Sequence, residues 1–421
     1  MLTELHLSGI GPAPRFDLDL GRRLNVLTGD NGLGKSFVLD VAWWALTGTW
    51  GEKRALPRAD RKVKPRISWE LELKSGKRSR AQVDFNFRGQ SWPWRTGRPP
   101  LPGLTVYVRV DGSFSIWDPA RNYWRDDPAR VEAYHFKPEQ VWEGLELEGK
   151  TVCNGLIRDW VSWQRQHRID EDPTAPFARF CKALQRLSPH PGQEWLEPGP
   201  PTRLSLEDAR EHPTLKFPYG LVPADHASAG IRRILGLAYL VIWAWNEHLQ
   251  ASRLLRQPPE TRFILLMDEV ETHLHPQWQR RIVPALLDVF RELEREVQVQ
   301  ALVTTHSPLV LASIEPDFKK ELDRLFLFEL DDGRVRLTSR DNAQYGDALN
   351  WLTSEVFGLT QARSLEAERA IEAAEAYMRK DRAALPEGLK TWEQIDAELE
   401  RLLPGQDPFW PRWVARSRNR R

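Results

Sequence analysis

Leu24-Asn25-Val26-Leu27-Thr28-Gly29-Asp30-Asn31-Gly32-Leu33-Gly34-Lys35-Ser36 is the stretch that decides how this 421-residue chain is read. Residues 24–28 are a short apolar run of strand character. The glycine-rich loop after them leads into a helix expected from about Lys35 to Leu46, with a stop at Gly48. Gly29 to Ser36 fits the spacing G-x-x-x-x-G-K-[ST]. Gly29, Asn31, Gly32 and Gly34 let backbone N–H groups curl around phosphate oxygens, and the following helix presents its positive end to them. Lys35 can reach β- and γ-phosphates, and Ser36 can offer its hydroxyl to Mg²⁺. A glycine-containing turn can match by chance. The strand before the motif and the helix after it are the context that argues for a nucleoside triphosphate site.

Three other places carry chemistry. Phe263-Ile264-Leu265-Leu266-Met267 runs into Asp268-Glu269, as a central parallel strand delivering carboxylates to its C-terminal edge would. Asp268 would hold Mg²⁺ and Glu269 would polarise the attacking water. A second β-rich run, Val297 to Thr304, ends in Thr305-His306-Ser307-Pro308, where His306 could donate to a γ-phosphate. Ser228-Ala229-Gly230 precedes a nearly all-apolar helix: Ser228 is a natural N-cap and Gly230 permits close approach, so the turn is a plain cap or a second anion site. His273 and His275 read as loop residues, because spacing places no third metal ligand beside them.

Composition sets the frame around these sites. Hydrophobic residues make up 41% and charged residues 28%, enough for a sizeable core and against global disorder. The net charge of +1 means that any nucleic-acid affinity must come from a local patch. Cys153 and Cys181 form no metal spacing and no disulfide framework, and a reducing, cytoplasmic home is expected. The N-terminus lacks signal-peptide character, and the apolar run Ile234 to Trp245 is too short to span a bilayer. The 19 tryptophans have no explanation at this level.

Along the chain, residues 67–87 read as a hairpin turning at Ser75-Gly76-Lys77, and 104–117 as another around Asp111-Gly112. Residues 128–190 read as helical, 191–202 as a proline-rich linker, 228–250 as a strong helix, 277–295 as a helix and 325–338 as a hairpin. Residues 362–403 are helical and charged, and five arginines fall in the last ten residues. The expectation is an α/β core with attached subdomains.

In this order the four motifs resemble the ABC ATPase superfamily. GDNGLGKS is similar to its Walker A, FILLMDE to its Walker B with the catalytic glutamate, ASAG to a degenerate signature motif and TTHSP to its switch-histidine loop. DEVETHLHPQWQRRI and TTHSPLVLAS resemble the soluble branch of RecF-like and SMC-like repair ATPases, OLD-family nucleases and ATPase subunits of Septu- and retron-type anti-phage systems. The resemblance covers roughly 1–315. It implies an ABC-type P-loop head with a mixed or parallel core sheet, an antiparallel β subdomain and an α-helical subdomain. It also implies ATP with Mg²⁺, catalytic Glu269 and His306, and two copies that sandwich ATP, the Ser228-Ala229-Gly230 turn of one facing the Walker motifs of the other. For the family's Q-loop glutamine, Gln140 is the candidate, with Gln82 behind it.

The departures are the signature, which is not LSGGQ, and the absence of heptads or a zinc hook, which argues against long coiled coils. The tail shows no TOPRIM acid pattern. The domains expected are an ATPase domain over 1–340, its β subdomain at about 60–125 and its helical one at about 128–250, then a helical region with a basic, aromatic tail over 341–421.

The functional expectation is an ATP-hydrolysing homodimer that controls a separate nuclease or other effector in phage defence. Alternatives are a RecF- or SMC-like repair ATPase and a non-hydrolysing ATP-sensing scaffold. DNA or RNA contact is expected from the eleven Lys and Arg between residues 53 and 80 and from the basic tail. Leu365, Ile371, Ala374 and Met378, with the aromatics at 408–413, are read as a docking surface or as a tail folded on its own core.

Overall fold

Ten of the thirteen residues of the helix Lys35–Thr47 are buried, so it is apolar on every side rather than along one stripe. Such a helix must lie between two apolar layers. The computed structural model, which describes residues 1–421 apart from 61, 94–100, 124–131, 190–195, 294–296, 341–344 and 418–421, supplies both. One core cluster joins Val38, Leu39, Trp43 and Trp44 of the helix to Ile264, Leu266, Leu302 and Phe328 of a large sheet and to Leu5, Phe16, Trp69 and Val83 of a small one. Tryptophan fills the gap on the small-sheet side: Trp44 stacks on Trp50 at 5.3 Å and meets Trp69 edge-on at 5.5 Å. This accounts for part of the tryptophan content.

The large sheet has eight strands in the order 334–340, 323–331, 24–29, 298–304, 262–267, 104–108, 114–117 and 134–136. The five from 323–331 to 104–108 run parallel, and the remaining three are antiparallel edges. Parallel pairing sets the strand before the glycine-rich loop beside the strand that leads to His306, and that one beside the strand that leads into Asp268. All three motifs therefore open at one sheet edge, where α/β folds place their ligands. The small sheet is antiparallel, in the order Arg15–Asp19, Leu2–Ser8, Arg66–Glu72 and Arg78–Asp84.

Three expectations about elements need correction. The antiparallel β subdomain at about 60–125 divides between the two sheets. Leu104–Val108 is buried along its whole length and pairs parallel with the acidic strand, because LTVYV is a two-sided core run and not an alternating one. The helical stretch 128–190 contains, among its described residues, a short strand Tyr134–Phe136 and a hairpin, Leu145–Leu147 with Lys150–Cys153, that turns at Gly149. The helix at 277–295 is two helices, Pro276–Gln279 and Ile282–Leu293. Pro284 has no N–H to give the carbonyl four residues back, so it is tolerated only in a first turn.

The chain forms two compact units, Met1–Ala348 and Leu349–Arg421. In the second, the helices Leu365–Arg379, Trp392–Leu402 and Trp410–Ser417 enclose Ile371, Ala374, Ile395, Leu399, Phe409 and Trp413. Trp413 stacks on Trp392 at 5.9 Å and donates to Asp396 at 2.7 Å. The aromatic tail is therefore part of this unit's core. Ile371 and Ala374 are unavailable as a docking face, while Leu365 is 83% exposed.

Candidate functional site

The loop strand Leu24–Gly29 is buried throughout, which fixes where the loop begins. Gly29 has φ 119°, and a Cβ there would lie 2.0 Å from the carbonyl oxygen of Phe328 on the neighbouring strand, so no other residue fits. Asn31, Gly32 and Ser36 are exposed around the head of the helix, whose first N–H groups have no intrahelical partner. Lys35 is 5% exposed and its ammonium donates to the carbonyls of Gly29 at 2.9 Å and Asp30 at 2.6 Å. Burial pulls its pKa down to about 8, against the opposite pull of the nearby carboxylates of Glu269 and Asp268.

The acidic strand end meets this loop across 232 residues of sequence: Ser36 Oγ donates to Asp268 Oδ1 at 3.0 Å. Thr304 Oγ1 donates to the same oxygen at 2.7 Å and accepts from the Glu269 N–H at 2.7 Å. One hydroxyl thus orients both acids. Glu269 has φ 43°, a left-handed conformation that costs a non-glycine residue about 1 kcal/mol and turns the chain sharply off the strand. Its carboxylate accepts from Thr272 Oγ1 at 3.1 Å. His306 is half-buried; burial first, then the charge of Lys35, lowers its pKa and favours the neutral imidazole. A hydroxyl beside a carboxylate is the hard oxygen pair that suits Mg²⁺, and the loop suits a triphosphate. Among the described residues no group of three or more His, Cys, Asp and Glu side chains forms a metal site. His275 caps the helix Pro276–Gln279.

The Ser228 turn sits as an N-cap, its hydroxyl accepting from Ile231 N–H at 3.5 Å. Ser228 and Ala229 are exposed, but Gly230 is buried, and a Cβ on it would lie 2.6 Å from the His273 carbonyl. Gly230 therefore has a reason within its own chain. One turn on, the Arg233 guanidinium donates to the carbonyls of Val110, Asp268 and Glu269, tying this helix to the acidic strand end.

Two expectations are not brought together here. Gln140 is the third residue of the helix Pro138–Glu143, and its side chain accepts from Lys137 N–H at 2.9 Å as a capping box. Gln82 is exposed on the small sheet, opposite Ser68. Within the basic stretch 53–80, five of the eleven basic residues share three carboxylates: Arg58 pairs with Asp60, Lys64 and Arg66 with Asp84, and Arg78 and Arg80 with the buried Glu70. Of the tail arginines, Arg418, Arg420 and Arg421 and the side chain of Arg416 lie outside the described residues.

Sequence reading missed Thr304, Arg233 and Glu271. The last two have weak signals, a basic residue one turn past a helix cap and a third acid in Asp268-Glu269-Val270-Glu271. It also missed Asp40, one turn beyond Ser36, which accepts from Tyr107 Oη at 3.1 Å. Burial raises the Asp40 pKa from 3.8 to about 6. A raised carboxyl pKa means the folded state favours the proton, so this group's stabilisation is present below pH 3.8 and lost as pH rises through 6. Asp40→Asn keeps the acceptor and is expected to stabilise the protein by about 2 kcal/mol at pH 8 and by nothing at pH 3.5. Thermal melts at the two pH values check this, and an equal gain at both would refute it.

A glycine-rich loop, a paired acidic strand end and a histidine loop meet on one edge of a mixed α/β sheet, the arrangement of a P-loop nucleotide-binding fold. Residues 4–127 match a family model described as "AAA domain", and residues 219–312 match one described as "AAA domain, putative AbiEii toxin, Type IV TA system". The chain is 34% identical over 92 residues to "Retron Vc95 probable ATPase" of Vibrio cholerae serotype O1 biovar El Tor, covering 22% of this chain and 16% of that one. It is 44% identical over 52 residues to "Retron Ec83 probable ATPase" of Escherichia coli, covering 12% and 8%. It is 32% identical over 97 residues to "Septu protein PtuA" of Bacillus mycoides (strain KBAB4), covering 23% and 12%. The match spans less than a fifth of the length of these relatives. Over these segments the chain is similar to defence-related proteins, two of them named as probable ATPases.

Proposed function

We propose that this chain binds ATP with Mg²⁺ at Gly29–Ser36, hydrolyses it between two copies of itself and so controls a separate effector, a nuclease, in anti-phage defence. The observation that carries the chemistry is the 3.0 Å contact of Ser36 with Asp268, with the Lys35 ammonium in the loop and Glu269 next along the strand end. Ser36 and Asp268 would hold Mg²⁺, which supplies charge neutralisation at the phosphates. Lys35 neutralises the β- and γ-phosphates from its own side of the loop, joined by backbone N–H groups from Asn31 to Ser36. Glu269, steadied by Thr272, accepts a hydrogen bond from the attacking water and aligns it. His306, held neutral, donates its ring N–H to the γ-phosphate. The defence reading rests on the retron and Septu relatives, and a repair role has no comparable support among them.

The exposed Ser228 and Ala229 at the head of a 26-residue helix supply the donors a partner copy would offer to bound nucleotide. With ATP and Glu269→Gln, light scattering is expected to show the mass doubling from 48.8 kDa, and Ser228→Glu to prevent it. A strict monomer at micromolar protein and saturating ATP counts against the sandwich. Phosphate release that depends on ATP and Mg²⁺ tests hydrolysis itself. No helix among the described residues is long and apolar enough to cross a membrane.

A further inference from the structure

The carboxylate of Glu271 is engaged on the loop after the neighbouring strand. Its Oε2 accepts from Thr305 Oγ1 at 2.8 Å and its Oε1 from the His306 N–H at 2.5 Å. The same threonine oxygen accepts from Ser307 N–H at 3.0 Å. Ser307 in turn donates to Gln279 Oε1 at 2.7 Å and caps the helix Pro308–Ile314. Only three residues, Thr305 to Ser307, join the strand Gln298–Thr304 to that helix, and each has a backbone or side-chain atom in this chain of hydrogen bonds. Thr305 is fully buried, so its hydroxyl has no water to turn to. Glu271 holds this loop, whereas Glu269, two residues back, is bonded to Thr272 instead.

We infer that Glu271 is a positioning residue for hydrolysis: it fixes the backbone at Thr305 and His306, so that the His306 imidazole keeps its place beside the γ-phosphate. The inference rests on the nucleotide-site reading proposed for this chain. It assigns the third acid of Asp268-Glu269-Val270-Glu271 a task distinct from metal binding and from water activation. A residue acting through another has a recognisable signature: its removal slows turnover without weakening substrate binding, and it adds nothing once the other residue is gone.

The test is steady-state ATP hydrolysis and calorimetric ATP binding in Glu271→Ala, Glu271→Gln, His306→Ala, the double variant Glu271→Ala with His306→Ala, and Lys35→Ala. Glu271→Ala is expected to lose up to about 100-fold in kcat, as a misplaced group does, with KM and melting temperature close to those of the natural protein. Glu271→Gln should restore most of that loss, because the amide can accept from His306 N–H and donate to Thr305 Oγ1. The double variant should be no slower than His306→Ala alone. Where Glu271→Ala fails to fold, Glu271→Asp replaces it, one methylene too short to make both bonds. Natural kcat in the folded Glu271→Ala or Glu271→Asp overturns the inference, as do losses that multiply in the double variant. Undiminished ATP binding by Lys35→Ala overturns the site reading and this inference with it, whereas an inactive Lys35→Ala beside a fully active Glu271→Ala overturns the inference alone.

Discussion

Glu269→Gln is expected to bind ATP as the natural protein does and to release phosphate roughly 10²- to 10⁴-fold more slowly, the range over which a positioned base contributes. The amide fills the same space and can still meet Thr272 Oγ1, which bonds the carboxylate at 3.1 Å, so the backbone turn at φ 43° has no reason to change. What is lost is a negative acceptor for the proton of the attacking water. Lys35, Ser36 and Asp268 are untouched, so affinity survives and the ATP-bound form accumulates. Single-turnover phosphate release beside calorimetric binding separates the two effects. Turnover at the natural rate would mean that another group aligns the water.

Lys35→Ala should cost the greater part of ATP affinity, about 10²- to 10⁴-fold, for two charge-assisted hydrogen bonds to phosphate at roughly 1.5–3 kcal/mol each. The fold should tolerate the change: the ammonium donates only to the Gly29 and Asp30 carbonyls at the mouth of the loop, and Asp30 is exposed. Its pKa of about 8 adds a second signature. Above pH 8 the free protein must take up a proton at Lys35 before it can hold phosphate, so affinity falls with rising pH, and in Lys35→Ala that slope disappears. Calorimetric titrations between pH 7 and 9.5 measure both. Full binding by the alanine variant would remove the phosphate-loop assignment.

Each of the four motifs is a local pattern at the end of an element the sequence places: the glycines and lysine between a strand and a helix, the acids after an apolar strand, the histidine after another, and the serine before an apolar helix. Gln140 takes a capping role at Lys137, which a glutamine three residues into a helix can do as readily as face a ligand, and residue type alone does not separate the two. The basic stretch is less free than its composition suggests, because some of its acidic partners are remote in sequence. Glu70 is eight residues from Arg78 and ten from Arg80, and Asp84 is 18 from Arg66. Only strand pairing sets them side by side, and a one-dimensional charge count reads across such pairs without seeing them.

The sequence by itself determined a glycine-rich loop between a strand and the helix that begins at Lys35, two acids after an apolar strand, and the apolar helix after Ser228. These follow from short-range periodicity and from functional groups a few residues apart. The tertiary structure decided which strand lies beside which, and with that everything made by contact across the sheet. Asp268 reaches Ser36 over 232 residues, Thr304 orients Asp268 over 36, and Glu271 holds His306 over 35. It also decided that Leu104–Val108 joins the central sheet and that Phe409 and Trp413 are core. The physical reason is that an apolar residue specifies only that it be covered. Which surface covers it depends on the pairing and packing of the whole chain.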